Sequence, residues 1–364
     1  MTFPHKIVGT DINYIHTAAE KEFGMLSGNK LLLTGAGGFL GYYFILSVLD
    51  WNDKHPRHKI LLTALSRFGD GLPTWLKHLE KRKDLEVVSA DVTKDFSVLR
   101  TSFDYVIHAA SFASPIVYRQ YPIETINANV LGLYALLNNV VKAKSKLKRL
   151  LYFSSSEIYG DPTEGNIPTP ESYRGNVSCT GPRACYDESK RFCETLCTNY
   201  VRVHGLSIVI ARPFNNYGPG MRITDGRVVA DFARNIISNK DIALYSDGNP
   251  SRTFCYVTDA IVGYIKILTK GRQGEAYNIG TPAPEISMGE LAQRMVVIGK
   301  KYFSYTGKIH RKIHKDAAYL VDNPQRRCPS IDKAKAQLGY NPSITLEDGL
   351  HRSLLWYQSV YGSR

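Results

Sequence analysis

Short, almost uninterrupted apolar runs alternate with longer mixed segments over the first two thirds of the chain. Each run is long enough for one strand and lacks the polar alternation of a half-exposed strand, which is typical of parallel strands covered on both faces. The predicted strands lie at the start of residues 30–41 and over 58–66, 85–92, 105–111, 149–156 and 207–214.

Helical patterns fill the segments between these strands. Residues 39–50 have the apolar density of a buried helix, and further helices are predicted over 73–83, Ile123–Ala143 and Ala184–His204. Strands that alternate with helices in this way predict an α/β fold with a doubly wound parallel sheet.

The regular alternation stops after residue 214, where Pro, Gly and Asn cluster in residues 215–226 and 247–251. We therefore expect residues 30–214 to form mainly a dinucleotide-binding domain and residues 215–364 mainly a smaller substrate-binding lobe. The run AYNIG (276–280) is expected to return to the edge of the sheet. Residues 1–29 are mixed and weakly amphipathic, and they are expected to be an appended arm or cap of unknown role.

Composition narrows the class of protein. Of the 364 residues, 43% are hydrophobic and 22% are charged, as in globular domains. No stretch approaches the ~20 apolar residues of a membrane helix, and the N-terminus lacks the apolar core of a secretory signal, so we expect no membrane contact and a cytoplasmic protein. The six cysteines form no CxxC pair and are expected to be free thiols, with no metal site.

The chain is strongly basic, because 46 Lys and Arg stand against 33 Asp and Glu, a formal net charge of +13. Such a charge suits either a nucleic-acid binder or a protein that binds small anions. One acid-free stretch is expected to be a solvated face. Its basic residues are Lys300, Lys301, Lys308, Arg311, Lys312 and Lys315.

A glycine turn follows the first strand. Gly35, Gly38 and Gly41 form G-x-x-G-x-x-G at the start of a helix, with Phe39 and Leu40 between the last two. The first glycine allows a turn, the second lets the backbone approach a pyrophosphate, and the third allows the helix to pack on the strand. Its position between strand and helix predicts a Rossmann-type dinucleotide site.

The second strand ends at Ser66 and Arg67. A site that binds NAD normally has an acidic residue here for the adenosine ribose, whereas an arginine can accept a 2′-phosphate. An ordinary surface arginine explains Arg67 equally well, so NAD and NADP are both open.

A Tyr–Lys pair lies on a predicted helix. Tyr186 and Lys190 are four residues apart in CYDESK and therefore share a face. A nearby ammonium lowers the pKa of a phenol, which makes Tyr186 a candidate base toward a sugar hydroxyl. Ser154, Ser155 and Ser156 end the preceding strand, where ligands sit in open α/β sheets, so a serine hydroxyl there can hold the same oxygen.

Several longer sequence blocks, some of which contain these motifs, resemble those of a known family. They are TGAGGFLG (34–41), HAASFASP (108–115), SSSEIYGDP (154–162), PESYRGNVSCTGPRACYDESKR (170–191), RPFNNYGPGM (212–221), DGRVV (225–229), SRTFCYVTD (251–259) and DNPQRRCPSIDKAKAQLGY (322–340). With them the chain resembles, from Lys30 to Tyr357, the extended short-chain dehydrogenase/reductase (NAD-dependent epimerase/dehydratase) family. Within that family the likeness is greatest to the decarboxylases that act on UDP-glucuronate.

The resemblance implies roles for individual residues. Ser155 and Tyr186 would hold the sugar 4-hydroxyl, with Lys190 as the electrostatic partner and a ribose ligand. The catalytic set that it implies is Ser155, Ser156, Glu157, Tyr186, Lys190 and Arg252. The cofactor set adds Arg67, Asp91, Val92, Ala109, Ala110, Ser111 and Asn129 to the glycine turn. The substrate set is Asn215, Arg227, Tyr245, Arg252 and Arg326.

The resemblance also implies a reaction and an assembly. UDP-glucuronate would lose carbon dioxide through a 4-keto intermediate, with a hydride held transiently on NAD, and NADP is not excluded. The protein would be a homodimer formed through the helices at 123–143 and around Tyr186. Alternatives are a 4-epimerase or a 4,6-dehydratase acting on another nucleotide sugar, although Ser156 stands where the dehydratases have an acid. A non-catalytic protein that binds a dinucleotide and RNA is a remote alternative.

Overall fold

The protein is described by a computed structural model that covers residues 3, 5–69, 71–94, 96, 102–143, 147–314, 316 and 319–362. The strands of these residues are β1 (Lys30–Thr34), β2 (Leu61–Ser66), β3 (Leu85–Ser89), β4 (Tyr105–His108), β5 (Arg149–Phe153), β6 (Ile208–Pro213), β7 (Asn216–Tyr217), β8 (Ile242–Leu244), β9 (Ser251–Arg252), β10 (Cys255–Tyr256), β11 (Ala276–Ile279), β12 (Ile286–Ser287), β13 (Ile309–Arg311) and β14 (Arg326–Arg327).

The α-helices of the same residues follow in chain order. They are α1 (Lys6–Ala18), α2 (Glu20–Leu26), α3 (Phe39–Lys54), α4 (Thr74–Lys77), α5 (Pro115–Gln120), α6 (Pro122–Lys142), α7 (Ala184–His204), α8 (Val228–Ile237), α9 (Val257–Lys270), α10 (Met288–Phe303), α11 (Asp332–Leu338) and α12 (Leu346–Tyr361).

A parallel sheet forms the centre of the molecule. Within the described ranges it has seven strands in the order β11-β6-β5-β4-β1-β2-β3, and every neighbouring pair is parallel. The order 3-2-1-4-5-6 is that of a Rossmann fold, so the predicted doubly wound α/β sheet is confirmed. The run at 276–280 forms β11 and pairs with β6 at one edge of the sheet.

The strands are covered on both faces, because successive side chains point to opposite sides. In β1, Leu31 and Leu33 pack into one apolar core, which also contains α3 and α9 residues, while Leu32 packs into a second core with residues of α6 and α7. Both faces therefore need apolar residues, which explains the uninterrupted apolar runs in the sequence.

One predicted helix is much shorter than expected. The helix expected over residues 73–83 is a single turn, α4, and the rest of that range is turns and bends up to β3. Leu76 is the buried residue of α4, and the charged residues after it have no apolar face to bury. The prediction for residues 78–83 was therefore wrong.

The N-terminal segment (residues 5–29) is built into the fold. Its helices α1 and α2 pack on α9, and α1 also packs on α3. Val8, Ile12, Ile15 and Phe23 are completely buried in the same core as these helices. The segment is thus a cap over one face of the sheet, and much of its apolar surface is part of the main core.

The buried carboxylate of Asp11 connects the N-terminal segment to distant parts of the chain through hydrogen bonds. Asp11 Oδ2 accepts hydrogen bonds from the hydroxyls of Tyr43 at 2.6 Å and Tyr256 at 2.8 Å, and Arg352 Nη1 reaches Asp11 Oδ1 at 3.2 Å. Burial raises the pKa of Asp11 to about 6, although these donors favour its charged form. Asp11 therefore joins α1 to α3, β10 and α12.

A second lobe lies beyond the carboxyl ends of the strands. It contains α8, which packs on α10 and α12, and two small sheets formed by β8 with β13 and by β9 with β12 and β14. In the parallel pair of β9 and β14, Arg252 lies directly beside Arg327. This strand register places the side chains of Arg252 and Arg327 next to each other.

The structure also bears on the expectations about membrane helices and cysteines. Among the described residues, no helix has the length and apolar character needed to cross a membrane. All six cysteines are free thiols, and Cys193, Cys197, Cys255 and Cys328 are buried.

The role of Asp11 can be tested by substitution. We expect Asp11→Ala to lower the free energy of unfolding by about 3 kcal/mol, because two buried hydroxyls and a guanidinium lose their acceptor. Urea unfolding of the full chain measures this change. Thr10→Ala, at the neighbouring exposed position of α1, is the control and should change it by less than about 0.5 kcal/mol. Equal effects of the two substitutions would contradict this role.

Candidate active site

A large cavity opens at the carboxyl ends of the central strands, facing the second lobe. It has a volume of about 1050 Å³, and residues that follow β1, β2, β3, β4, β5 and β6 line it together with residues of α8 and β9. In an open parallel sheet this edge is where ligands bind, because all strands end on the same side.

The glycine turn forms the part of the cavity next to β1. Gly35 has a φ of +76°, and a Cβ atom there would lie 2.7 Å from the carbonyl oxygen of Ala109. A Cβ on Gly41 would lie 2.3 Å from the carbonyl oxygen of Ala36. Gly38 is the N-cap of α3 and has no side-chain cap, so backbone N–H groups at the start of this helix are available to an anion.

Most of the residues predicted for the cofactor line the same cavity. They are Gly35, Gly38, Phe39, Leu40, Gly41, Arg67, Asp91, Val92, Ala109, Ala110, Ser111, Tyr186 and Lys190. Asn129 does not line it. Its side chain is buried and donates to Ser189 Oγ at 2.7 Å, and Ser189 in turn donates to the carbonyl of Tyr186 at 2.9 Å. Asn129 thus supports the helix that carries Tyr186 from behind.

Tyr186 and Ser155 lie next to each other in the cavity wall. Tyr186 lies in the first turn of α7, Ser155 is near enough to act to lower its pKa, and its ring stacks on Tyr118 with the centroids 4.9 Å apart. Ser155 caps the short 3₁₀ turn after β5 by accepting from the backbone N–H of Glu157 at 3.2 Å. The end of β5 and the start of α7 therefore fix the two hydroxyls relative to one another.

The pKa of the phenol differs from the sequence-based expectation. Burial raises the pKa of Tyr186 to about 12, against the opposing effect of the neighbouring Ser155. Lys190 Nζ donates to the carbonyl of Phe153 at 2.7 Å and lies 5.7 Å from the centroid of the Tyr186 ring. Burial also lowers the pKa of Lys190 to about 8. In this geometry the phenol is neutral at pH 7, and Ser155 is the first neighbour that acts to lower its pKa.

Glu157 is held by two arginines. Arg327 Nη2 donates to Glu157 Oε2 at 2.7 Å, Arg327 Nη1 donates to Oε1, and Arg183 Nη2 donates to Oε2. Although burial acts to raise the pKa of Glu157, the charges of these two arginines lower it below the ordinary value. Glu157 is therefore a charged residue that organises two guanidinium groups at the cavity wall.

Arg252 is a buried cation that makes no ion pair with a carboxylate of the described residues. Its Nη1 donates to the carbonyl of Ser251 at 2.7 Å, and its Nη2 donates to the carbonyl of Pro324 at 2.6 Å. Burial and the nearby charges of Arg327 and Arg183 lower the pKa of Arg252 to about 9. The carbonyl groups orient this guanidinium without neutralising its charge.

The wall of the cavity is therefore positively charged. Arg183, Arg252 and Arg327, called here the arginine cluster, surround one carboxylate, Glu157. Burial, followed by the charge of Glu157, raises the pKa of Asp187, a second carboxylate whose Oδ2 lies 3.8 Å from Arg183 Nε. Three guanidinium groups against two carboxylates, one of them with a raised pKa, leave a site that favours a further negatively charged group.

Aromatic and basic residues of the second lobe line the far end of the cavity. The ring of Tyr245 meets those of His314 and Tyr319 edge-on, with centroids 4.8 and 5.7 Å apart. Arg227 lies at the N-terminus of α8, paired with Asp225. Asn215, with a φ of +42°, donates to the carbonyl of Thr253 at 2.9 Å. Tyr245, Arg227 and Asn215, which the resemblance assigns to the substrate, all line the cavity.

Arg326 does not line the cavity. Its guanidinium is exposed and makes two hydrogen bonds to the carboxylate of Glu285, at 2.9 and 2.7 Å. Adjacent residues of a strand point to opposite sides, so it is Arg327, rather than Arg326, that faces the site. The DNPQRR block identified the segment, but the choice between its two arginines depended on the register of β14.

Two members of the arginine cluster were missed in the sequence. Arg183 precedes Tyr186 by three residues, a helical spacing that puts both on one face and was a usable signal. Arg327 carried no such signal. Lys312, from the stretch expected to be a solvated face, also lines the cavity, whereas Lys315 lies outside the described residues.

Comparison with known proteins identifies relatives of the chain. UDP-glucuronic acid decarboxylase 6 of Arabidopsis thaliana is 37% identical over 327 residues, which are 89% of this chain and 87% of that protein. UDP-glucuronic acid decarboxylase 1 of Xenopus tropicalis is 32% identical over 331 residues, 90% of this chain and 72% of that protein.

Solved structures share the fold. The UDP-glucose 4-epimerase of Thermotoga maritima superposes with a TM-score of 0.75 at 22% identity, over 91% of this chain and 99% of that one. The dTDP-glucose 4,6-dehydratase DesIV of Streptomyces venezuelae gives 0.78 at 24% identity, over 92% and 98%. Residues 31–280 match the profile of the NAD dependent epimerase/dehydratase family, and with these relatives the chain is a member of that family.

Proposed function

We propose that this protein decarboxylates UDP-glucuronate to UDP-xylose. The observation that carries the proposal is the buried guanidinium of Arg252, which has no carboxylate partner among the described residues and lines the same cavity as Tyr186. A substrate carboxylate would supply the missing negative charge. Relatives at 32–37% identity that are named UDP-glucuronic acid decarboxylases support the same substrate.

The chemistry explains why an oxidised sugar is needed. A carboxylate on carbon 5 does not leave readily, because the electron pair left behind has no acceptor. A ketone at carbon 4 makes a β-keto acid, so the pair is delocalised into an enolate while carbon dioxide leaves. Carbon 5 is then protonated, and carbon 4 is reduced again. A bound nicotinamide dinucleotide would take the hydride from carbon 4 and return it, so the reaction has no net redox change.

The residues of the glycine turn fit such a cofactor. Gly35 leaves no space for a side chain against the carbonyl of Ala109, and the uncapped start of α3 offers N–H groups to a pyrophosphate. We propose that Asp91 and Val92 together with Ala109–Ser111 line the rest of this subsite. The family description and the NAD-bound DesIV structure support NAD.

Tyr186 would move the proton of the sugar 4-hydroxyl. Ser155 lies beside it and would hold the same oxygen, while Lys190, fixed by the carbonyl of Phe153, would supply positive charge nearby. In its phenolate form Tyr186 would take the proton of the 4-hydroxyl as carbon 4 is oxidised, and it would return that proton to the oxygen when carbon 4 is reduced. Because the pKa of Tyr186 is raised to about 12, added positive charge in the site would favour the phenolate.

The nucleotide end of the substrate would lie toward the second lobe. Tyr245 and Tyr319 offer ring surfaces for a base, and Arg227 offers a charge for the diphosphate. Related reactions are less well supported. Ser156 is buried at the position where a dehydratase would need an acid to expel the 6-hydroxyl, and an epimerase has no need of the arginine cluster.

We further propose a homodimer in a reducing compartment such as the cytoplasm. Large apolar side chains are exposed on the two neighbouring helices α6 and α7. They are Ile123, Ile126, Leu131 and Tyr134 of α6, and Phe192 and Val203 of α7. Exposed apolar side chains on two packed helices favour association with a second copy. The six free cysteines support a reducing compartment.

The proposed reaction predicts a defined product. Incubation of the full chain with dinucleotide and UDP-glucuronate should yield a UDP-sugar lighter by one carbon dioxide, measured by mass spectrometry. Tyr186→Phe should reduce turnover by about 10²- to 10⁴-fold and leave UDP binding unchanged, because it removes only the proton-transfer group. Loss of water from another nucleotide sugar, with UDP-glucuronate unchanged, would disprove the substrate assignment.

The role of Arg252 predicts a selective defect. Arg252→Gln should lower kcat/KM for UDP-glucuronate by roughly 10- to 150-fold, because a charge-assisted contact to the carboxylate is lost. The affinity for UDP, which has no carboxylate, should hardly change when measured by calorimetry. Arg326→Gln is the matched control and should leave both quantities unchanged. An equal loss of UDP affinity in Arg252→Gln would refute a specific contact with the carboxylate.

The dimer proposal predicts a monomeric variant. Leu131→Asp introduces a charge into the exposed apolar face of α6 and should convert the dimer to a monomer in light scattering coupled to size-exclusion chromatography. Val297→Asp is the control, since Val297 is 64% exposed on α10, away from this face, and it should leave the mass unchanged. A wild-type chain that elutes as a monomer would overturn the proposal.

A further inference from the structure

The end of β2 has an unusual chemistry for a site that binds NAD. Ser66 ends the strand and lines the cavity, and its hydroxyl lies 3.3 Å from the place that a Cβ atom on Gly37 would occupy. It is therefore next to the glycine turn. In Rossmann sites this position lies beside the adenosine ribose, where a carboxylate accepts hydrogen bonds from the hydroxyls of NAD. Ser66 cannot provide that charge.

Arg67 extends from the same strand end across the cavity. Its guanidinium carbon lies 4.6 Å from the ring centroid of Phe112, which follows β4, and both residues line the cavity. The Ser89 hydroxyl donates to the carbonyl of Arg67 at 2.8 Å and fixes the backbone. Arg67 makes no ion pair with a carboxylate in the part of the chain that is described. An aromatic ring thus holds this cation in the cavity. Although burial acts to raise the pKa of the neighbouring Asp91, hydrogen bonds from Thr93 and the charge of Arg67 lower it.

We propose that Ser66 and Arg67 form a subsite for the 2′-phosphate of the dinucleotide, so that the protein binds NADP more tightly than NAD. The guanidinium can donate two hydrogen bonds to a phosphate, and the Ser66 hydroxyl can donate a third. A carboxylate at residue 66 would repel the phosphate, and its replacement by serine removes that repulsion. The inference rests on the dinucleotide site of the proposed function and leaves the sugar chemistry unchanged, since the 2′-phosphate is remote from the nicotinamide.

Asp91 offers the competing arrangement. It follows β3, lines the cavity, and its Oδ1 accepts from the backbone N–H of Thr93 at 2.9 Å and from the Thr93 hydroxyl at 2.8 Å. If Asp91 took the ribose hydroxyls and Arg67 served as its counter-ion, NAD would bind more tightly than NADP. The engagement of Oδ1 by Thr93 argues against that role, and the two arrangements predict opposite cofactor preferences.

Direct binding measurements separate the two arrangements. The full chain, freed of bound dinucleotide, is titrated calorimetrically with NADP⁺ and NAD⁺, and with the fragments 2′,5′-ADP and 5′-AMP, in the absence of sugar. We expect NADP⁺ to bind about tenfold or more tightly than NAD⁺, and 2′,5′-ADP to bind more tightly than 5′-AMP. Tighter binding of NAD⁺ would overturn the proposal.

Variants assign the preference to the two residues. Arg67→Ala should raise the Kd for NADP⁺ roughly 10- to 150-fold and that for NAD⁺ less than about fivefold. Ser66→Asp should reverse the preference in favour of NAD⁺. Arg57→Ala, at an exposed position remote from the cavity-lining residues, is the control for general loss of positive charge and should change neither Kd.

The outcomes also distinguish this subsite from the proposed reaction. An equal loss of affinity for both dinucleotides in Arg67→Ala would overturn the 2′-phosphate subsite, whatever the enzyme does to UDP-glucuronate. A chain that prefers NADP⁺ but releases no carbon dioxide would keep the subsite and disprove the decarboxylase function.

Discussion

The parallel sheet imposes the constraint on which the site depends. Parallel strands all end on one edge, and every strand that is covered on both faces must be apolar along its length, so polar side chains are displaced to the residues just beyond each strand. In this chain those residues are the glycine turn, Ser66, Asp91, the segment from Ala109, and the segment from Ser154. The burial that stabilises the sheet is therefore also the reason that the polar, functional side chains are gathered at its carboxyl edge.

Electrostatics then determines what that edge can bind. The arginine cluster is buried, and burial of like charges is costly unless an anion accompanies them. Glu157 compensates Arg183 and Arg327, which leaves Arg252 oriented by carbonyl groups and uncompensated by a carboxylate of the described residues. A ligand that carries a carboxylate would complete the charge balance, so affinity for an acidic sugar follows from the arrangement of the protein's own charges. Most of the other Lys and Arg residues of the chain lie outside this cluster and do not take part in its charge balance.

The N-terminal segment contributes at a distance from the chemistry. Its apolar side chains complete the core under α3 and α9, and α3 is the helix whose N-terminus borders the cavity at the proposed dinucleotide site. Asp11 connects residues that are up to 341 positions apart in the chain, through Tyr43, Tyr256 and Arg352. The segment thus helps to hold α3 against the sheet, and its described residues do not line the cavity. The family resemblance, which begins at Lys30, gave no indication of this role.

The sequence by itself determined the parallel sheet, the glycine turn and the placement of Tyr186 and Lys190 on one face of a helix. The pattern of apolar residues, the turn conformation and the helical spacing are all local properties of the chain. Only the tertiary structure decided that Arg327, and not Arg326, faces the cavity, that Asn129 lies behind Tyr186, and that the phenol is governed by burial and by Ser155. It also decided that the N-terminal segment belongs to the core. These outcomes depend on strand register, burial and contacts between residues far apart in the chain, none of which local spacing encodes.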